Sequence, residues 1–546
     1  MKATNNLRIK LVFYRTLYSQ SAASLTMGSI AACLRKKNYL VDLCLLEKNS
    51  LDNYRRILEI TAKYNIILAK PNFQDFQEMF PVLKALKDQK VIKRVFLCGP
   101  LASLNAEDII FNHKWIDGII LNNAEETFCD LIESLSSHCN SWDLNCLCGI
   151  WRSPTDGKIK KNKPRPINYL LLDQIPFPAR DIEKKENVNY VNIESSRGCT
   201  FKCGYCHVPL YYGGARILRN PKLVVDEIEY LNRELGKTLF IFNDSCFWSS
   251  SSDNKRIINF CREIKKRKLH IKIYVYFRLS PFPEEKIIKA LAETGLVRVF
   301  LGLENISENA QIIYNKKIDP IIYQKIKKIL DKYNINIHLG FFVFHPYATL
   351  SEIKINLKYL YNIKEIFRLG VISEPLRIIP GSPVYYKLIK DGLLQGKKKF
   401  DQITYNYKFQ DRKVGLLFKN IRKIFLYNPN NLGYSLEYYC VYGELLKTLI
   451  TKGNRKLIKC LKRDYVEFYK YRNRAMDQLI KYLYRLIKTV DGNIKYINKT
   501  EKQVFIKELK EIIYALATKW GIIIEKVRSY GGEKIIKELP TGQERI

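Results

Sequence analysis

Between residues 7 and 140 short apolar runs alternate with amphipathic stretches. Residues 9–13, 41–45, 66–69, 94–98 and 118–121 predict strands, and residues 27–36, 54–64, 73–87 and 125–135 predict helices between them. That alternation implies an α/β fold, a doubly wound parallel sheet with helices on both faces. Ligands of such sheets bind beyond the C-terminal strand ends, where the strand order reverses. The loops after Phe13, Ala69, Cys98 and Leu121 are therefore a candidate ligand wall. Residues 141–188 are rich in proline, as in KNKPRPINYLLLDQIPFPARD, and predict a connector. A second series occupies residues 189–400, with strands at 190–195, 238–242, 271–277, 297–302, 335–344 and 371–376. Six such units fit a partial (β/α)6 barrel whose C-terminal rim would carry the chemistry. Residues 401–546 show helical periodicity at 414–426, 436–449, 456–470, 476–487 and 502–520, and predict a helical domain that covers the barrel mouth and selects the substrate.

Composition changes this picture little, but charge adds to it. The chain has 546 residues, 47% of them hydrophobic, enough for several cores. Its net charge of +38 partly reflects a general preference for Lys, and is weak evidence for nucleic acid by itself. Between Lys447 and Lys488, however, thirteen Lys or Arg face three acids. The basic helices there suit a carboxylate- or phosphate-bearing substrate, a leader peptide or RNA, with a solvated charged face as the plain alternative. The N-terminal MKATNNLRIKLVFYR reads as a first strand and lacks a signal-peptide core, and no apolar run is long enough to span a bilayer. A reducing, cytoplasmic setting is expected for the fourteen cysteines. Cys33, Cys44, Cys98, Cys129 and Cys261 lie within apolar patterns and are expected to be buried packing residues.

Cys199, Cys203 and Cys206 differ from these. They form Cys-x3-Cys-x2-Cys in SSRGCTFKCGYCHVP, directly after a predicted strand. Three thiolates on so short a loop can hold three irons of a [4Fe-4S] cluster and leave the fourth open. Zinc is disfavoured, because no second ligand pair follows at matching spacing. With Arg197-Gly198 leading in and Tyr205 before the last cysteine, the loop resembles that of the radical S-adenosylmethionine (SAM) enzymes. The resemblance implies that the open iron chelates SAM, and that one electron from an external donor such as flavodoxin or ferredoxin splits it to a 5′-deoxyadenosyl radical.

The same resemblance extends along the rim. Asn243 and Asp244 stand where the family meets the SAM amino group, Arg278 where a guanidinium can pair with its carboxylate, and Gly302-Leu303-Glu304-Asn305 where a carboxylate accepts from the ribose. Residues 344–349 and 379–385 occupy the places of two further rim turns. His345 reads as a structural turn residue more readily than as a substrate contact. The first segment resembles the cobalamin-binding domain that precedes the barrel in a large class of these enzymes, with Thr26-Met27-Gly28, Gly99-Pro100-Leu101-Ala102-Ser103 and residues 122–128 as matching loops. Pro100, Asn122, Asn123 and Ala124 depart from the usual glycine-rich pattern. No histidine precedes His113, so a lower axial imidazole from the first loop is excluded. Asn72, Gly99, Ser103 and Glu125 are the candidate cobalamin contacts.

What the resemblance implies is a cobalamin-dependent radical SAM methyltransferase acting on an unactivated carbon, or phosphorus, of a small-molecule or peptide substrate. Two alternatives share the cluster: an oxidative cyclase or rearrangement enzyme without methyl transfer, and an RNA-modifying methylthiotransferase-like enzyme. Nucleic acid is not the favoured partner, since Cys33, Cys44 and Cys98 do not lie in the contexts of a second cluster.

Overall fold

The computed structural model describes residues 7–14, 24–46, 65–71, 76–137, 147–152, 158–185, 190–367, 369–395, 406–425, 442–443, 446–447, 450, 455–492 and 499–530. The first sheet comprises β1 (Arg8–Tyr14), β2 (Leu40–Leu46), β3 (Ile66–Lys70), β4 (Arg94–Leu97), β5 (Gly118–Ile120), β6 (Ile150–Arg152) and β7 (Lys160–Lys161), in the order β2-β1-β3-β4-β5-β6-β7. Its first five strands are parallel. β6 and β7 add antiparallel at the edge, so the start of the proline-rich stretch belongs to this sheet. Both faces are covered. Val12, Ile67, Val95 and Ile119 pack into one core, and Leu11, Leu68, Phe96 and Ile120 into the other. Strand order reverses between β1 and β3, which places the ligand crevice at their C-terminal ends. The predicted helix at 54–64 lies outside the described residues, as does most of 436–449.

β8 (Tyr190–Ile193) opens the second sheet and is followed by a small antiparallel hairpin, β9 (Ser196–Gly198) with β10 (Arg216–Leu218). β11 (Leu239–Phe242), β12 (Lys272–Arg278), β13 (Leu296–Glu304) and β14 (Asn336–Phe341) complete a parallel sheet in the order β14-β13-β12-β11-β8. Local chemistry sets the helices between them. Asn220 caps Pro221–Leu235 by accepting from Lys222 N, and Gly236 ends it with φ +63°. Thr349 and Glu352 form a capping box at the start of Leu350–Asn362. The sixth predicted strand, 371–376, differs. Leu369–Ser373 is a short helix, and only a bridge between Phe344 and Pro375 extends the sheet edge. Pro375 has no N–H to donate to a ladder, so the sixth position of the partial barrel is irregular.

The tail is helical but arranged differently from expectation. The stretches 456–470 and 476–487 form one 37-residue helix, Arg455–Asp491, because no Gly or Pro interrupts it. It packs against Leu350–Asn362 on the barrel's flank and against Lys499–Ser529. Tyr361 donates to Asp477 at 2.5 Å, and Arg472 to the Lys364 carbonyl at 2.8 Å. Among the described tail residues, 406–418 reach the rim, where Tyr407 packs with the Tyr314 cluster, Phe409 and Phe418 meet Phe344 and Gln410 N donates to Pro346 O at 2.8 Å. Among the described residues no helix is long and apolar enough to cross a membrane. Cys44, Cys98, Cys129 and Cys261 are buried as expected, whereas Cys33 is only partly so and lies beside Cys129.

Candidate active site

The cysteine loop leaves the C-terminal end of β8 and is held from below. Asp244, expected at the SAM amine, is 1% exposed and accepts from Ser195 N at 2.8 Å and from the Ser195 and Ser196 hydroxyls at 2.6 Å. Its carboxylate braces the loop; the neighbouring Asn243 is exposed at the strand end. Gly198 has φ +82°, and a Cβ there would come within 2.1 Å of Ala215 O, so the β9–β10 hairpin requires glycine. Beyond it, Gly204 N donates to Tyr314 O at 2.8 Å and Val384 N donates to Gly204 O at 3.0 Å. Residues 379–385 thus contact the cysteine loop directly.

Arg278, at the end of β12, lies 3.1 Å from the Cys203 sulfur through Nη1 and 3.8 Å from the centre of the Phe201 ring. Burial raises the Cys199 thiol and pushes that of Cys206 up to about 11. A metal that binds here must therefore displace protons. Among the described residues no three His, Cys, Asp or Glu side chains converge as a single-ion site demands. Thiols that hold separate corners of a cluster stand further apart than ligands of one ion. Three loop cysteines with a guanidinium beside one sulfur fit a [4Fe-4S] cluster.

Glu304 ends β13 with φ +67°. It pairs with the buried Lys316 at 2.8 Å, and Lys316 Nζ lies 3.4 Å from the Tyr205 hydroxyl. A Cβ on Gly302 would approach Glu304 Oε1 to 2.6 Å, so the glycine leaves room for the carboxylate. Tyr205 stands edge-on to Tyr314 and Phe342. Sequence reasoning missed Lys316: one lysine in a Lys-Lys pair of a lysine-rich chain carries no signal. Asn305 is structural, accepting from Ser307 N at 2.8 Å and donating to Phe342 O at 2.9 Å. His345 is fully buried against Tyr314, 3.8 Å from Glu352, and desolvation lowers its pKa to about 3.

The crevice of the first sheet faces this loop. Lys70 ends β3 and donates to Ser24 Oγ at 2.9 Å, and burial lowers its pKa. Gly99 follows β4 with φ +91°, where a Cβ would stand 3.0 Å from the Lys70 chain. Ser103 accepts from Asn122 N at 3.1 Å. Glu125 is fully buried and pairs with Arg197 at 2.8 Å; Arg197 also pairs with Glu194 at 2.8 Å. The Tyr211 hydroxyl donates to Asn122 O. Beside these contacts lies a cavity of about 360 Å³ bounded by Asn122, Asn123, Ile167 and Tyr212. Gly28 serves the connector instead, since a Cβ there would meet Ala179 O at 2.9 Å. Asn72 lies outside the described residues. The cavity beside the end of β5 has room for part of a corrinoid; the Lys70 chain lies over Gly99, and Ser103 and Glu125 brace the surrounding loops without lining the cavity.

A partial barrel with three cysteines on the loop after its first strand defines a class, and comparison agrees. Residues 193–360 match the Radical SAM superfamily, so the barrel is a radical SAM domain. An uncharacterized methyltransferase of Pyrococcus horikoshii is 26% identical over 322 residues, 58% of this chain and 68% of that protein. An anaerobic magnesium-protoporphyrin IX monomethyl ester cyclase of Rubrivivax gelatinosus is 29% identical over 274 residues, 47% of this chain and 48% of that one. The chain thus spans about half the length of that relative. The cobalamin-dependent SAM radical enzyme OxsB, with aqua-cobalamin and SAM bound, shares the fold at a TM-score of 0.67 and 16% identity, over 99% of this chain and 82% of OxsB.

Proposed function

We propose that the chain is a cobalamin-dependent radical SAM methyltransferase, with residues 1–140 as cobalamin-binding domain, 141–188 as connector, 189–400 as radical SAM barrel and 401–546 as helical domain. The observation that carries this reading is the buried Arg197–Glu125 pair, which joins the cysteine loop to the strand-end crevice of the first sheet. Cofactors held on these two platforms would face one substrate. Bound together, cluster, SAM and cobalamin supply a hydrogen-abstracting radical and a methyl group.

The chain's own residues hold and orient. Cys199, Cys203 and Cys206 carry the cluster, and Arg278 places positive charge beside Cys203. Asn243 and Glu304 are offered to SAM, with Lys316 fixing the Glu304 carboxylate. Gly99 and the loops braced by Ser103 and Glu125 receive the corrinoid. The acceptor is a small molecule or peptide, the electron comes from a flavodoxin- or ferredoxin-like donor, and the setting is cytoplasmic. The cyclase relative supports a second reading, oxidation without methyl transfer, which product mass separates from the first.

The test is anaerobic reconstitution with iron, sulfide and hydroxocobalamin, followed by metal analysis of the desalted chain. About four irons and one cobalt per chain are expected. Cys203→Ala should lose iron and SAM cleavage while keeping cobalt. Four irons without cobalt in the parent chain would remove the cobalamin half of the reading.

A further inference from the structure

The helix Arg455–Asp491 buries its apolar side in the core shared with the barrel. What it leaves outside carries one sign. From Arg455 to Lys488 ten exposed positions hold Lys or Arg, and no exposed position holds an acid. At 3.6 residues per turn these ten fall in a sector about 140° wide, along about 50 Å of axis. The helix's acids are engaged, Glu467 partly with the stripe's own Arg463. Asp464 is buried between Lys519 and Lys526 at 3.2 and 2.7 Å, Glu467 meets Arg463 and Lys519, and the terminal Asp491 meets Lys413 at 3.3 Å.

Lysine richness does not give every helix such a face. Lys499–Ser529 packs alongside and has a comparable length, yet its exposed charges balance: Lys507, Lys510 and Arg528 against Glu508, Glu511 and Glu525. Among the described helices Asn254–Lys266, Pro320–Lys332 and Arg412–Phe425 also expose Lys or Arg and no acid, but with three or four cations each against ten on the 37-residue helix. A groove of about 410 Å³ also opens on its flank, lined by Lys364, Tyr465, Tyr469, Arg472 and Glu365 and by Asp331, which is neutralised by Lys327 at 2.9 Å and Lys447 at 2.6 Å. The two tyrosine rings stand 4.6 Å apart, and the Arg472 guanidinium lies 5.6 Å from the Tyr469 ring. Asn336, the first residue of β14, also lines the groove, so it opens at the barrel face opposite the cysteine loop.

We propose that this face is a docking surface for a single-stranded polynucleotide, with phosphates along the cationic stripe and an unstacked base against Tyr465 in the groove. A line of cations matches a polymer that carries charge at regular intervals, and an aromatic groove beside it matches bases. An anionic membrane is the poorer fit. Apart from Val466 and Tyr484 the helix's apolar residues are sequestered in the core, and a recessed tyrosine pair offers nothing to a flat lipid surface. The surface is independent of the cofactor reading and lies away from the site of chemistry.

The experiment is fluorescence anisotropy of the full chain with labelled 20-nucleotide oligouridylate and oligothymidylate. Five engaged phosphates predict about a hundredfold loss of affinity between about 50 and 200 mM KCl. Replacing Lys459, Lys462, Lys470, Arg474 and Lys481 by Gln should abolish most of that salt dependence. Tyr465→Ala should weaken binding about tenfold, while Tyr465→Phe should bind as the parent does. Replacing Lys507, Lys510 and Arg528 by Gln should change affinity less than twofold, with thermal melts reporting that each variant is folded. Equal losses from the two sets of charge changes would overturn the proposal. So would absence of oligonucleotide binding, or stripe-dependent binding to phosphatidylserine vesicles alone.

Discussion

The Arg197–Glu125 pair joins the two sheets, and its strength can be worked out. Their side chains are 3% and 0% exposed, and the charged atoms are 2.8 Å apart. At an effective dielectric constant of about 20 the direct attraction is about 6 kcal/mol, much of it offset by the desolvation of both groups. Glu125→Gln leaves the buried guanidinium with Glu194 as its remaining carboxylate partner, so the loss should be about 3 kcal/mol. Arg197→Met leaves Glu125 buried without a counter-charge and should cost at least as much. The double variant removes both charges, and should be less destabilised than the sum of the two by about 2 kcal/mol. Urea unfolding of the four proteins, followed by tryptophan fluorescence, measures this coupling. Additivity within about 0.5 kcal/mol would show that the pair does not join the sheets energetically, and would remove the mechanical basis for treating them as one site.

Other outcomes follow from single contacts. Gly198→Ala places a methyl group on Ala215 O at a φ of +82°, so the variant should retain little iron after reconstitution, as iron analysis would show. Lys316→Met frees the Glu304 carboxylate and should weaken SAM binding about tenfold in equilibrium dialysis, one charged hydrogen bond's worth. His345 has a folded pKa of about 3 against 6.5 when unfolded, so the unfolded chain binds the extra proton below about pH 6.5 and stability falls as pH falls. His345→Phe should therefore flatten the decline of the unfolding free energy from urea titrations between about pH 6.5 and 5, by about 2 kcal/mol at pH 5.

The strands of the first sheet were legible because both faces are buried, which turns each strand into a short apolar run such as 66–69. The three loop cysteines stood out because their spacing is local. Roles that depend on distant partners did not. Asp244 looks like a rim residue until Ser195 and Ser196 are seen on its oxygens. Glu125 looks like a ligand contact until Arg197, 72 residues later, is seen beside it. The irregular sixth barrel position was misread because residues 371–376 open on Val371-Ile372, and periodicity over so few residues does not separate a helix turn from a strand. The two tail segments read as separate helices are one because the polar residues between 470 and 475 carry no breaker.

The Gly204 peptide is clasped on both sides, by the Tyr314 carbonyl and the Val384 amide. During synthesis those partners leave the ribosome long after the cysteines do, at about 5–20 residues per second. For some ten to thirty seconds the three thiols hang on a loop whose last clamp does not yet exist. Cluster insertion into the finished geometry is therefore a late event in the life of the nascent chain, and truncation before residue 384 should yield protein with all three cysteines and no stable iron.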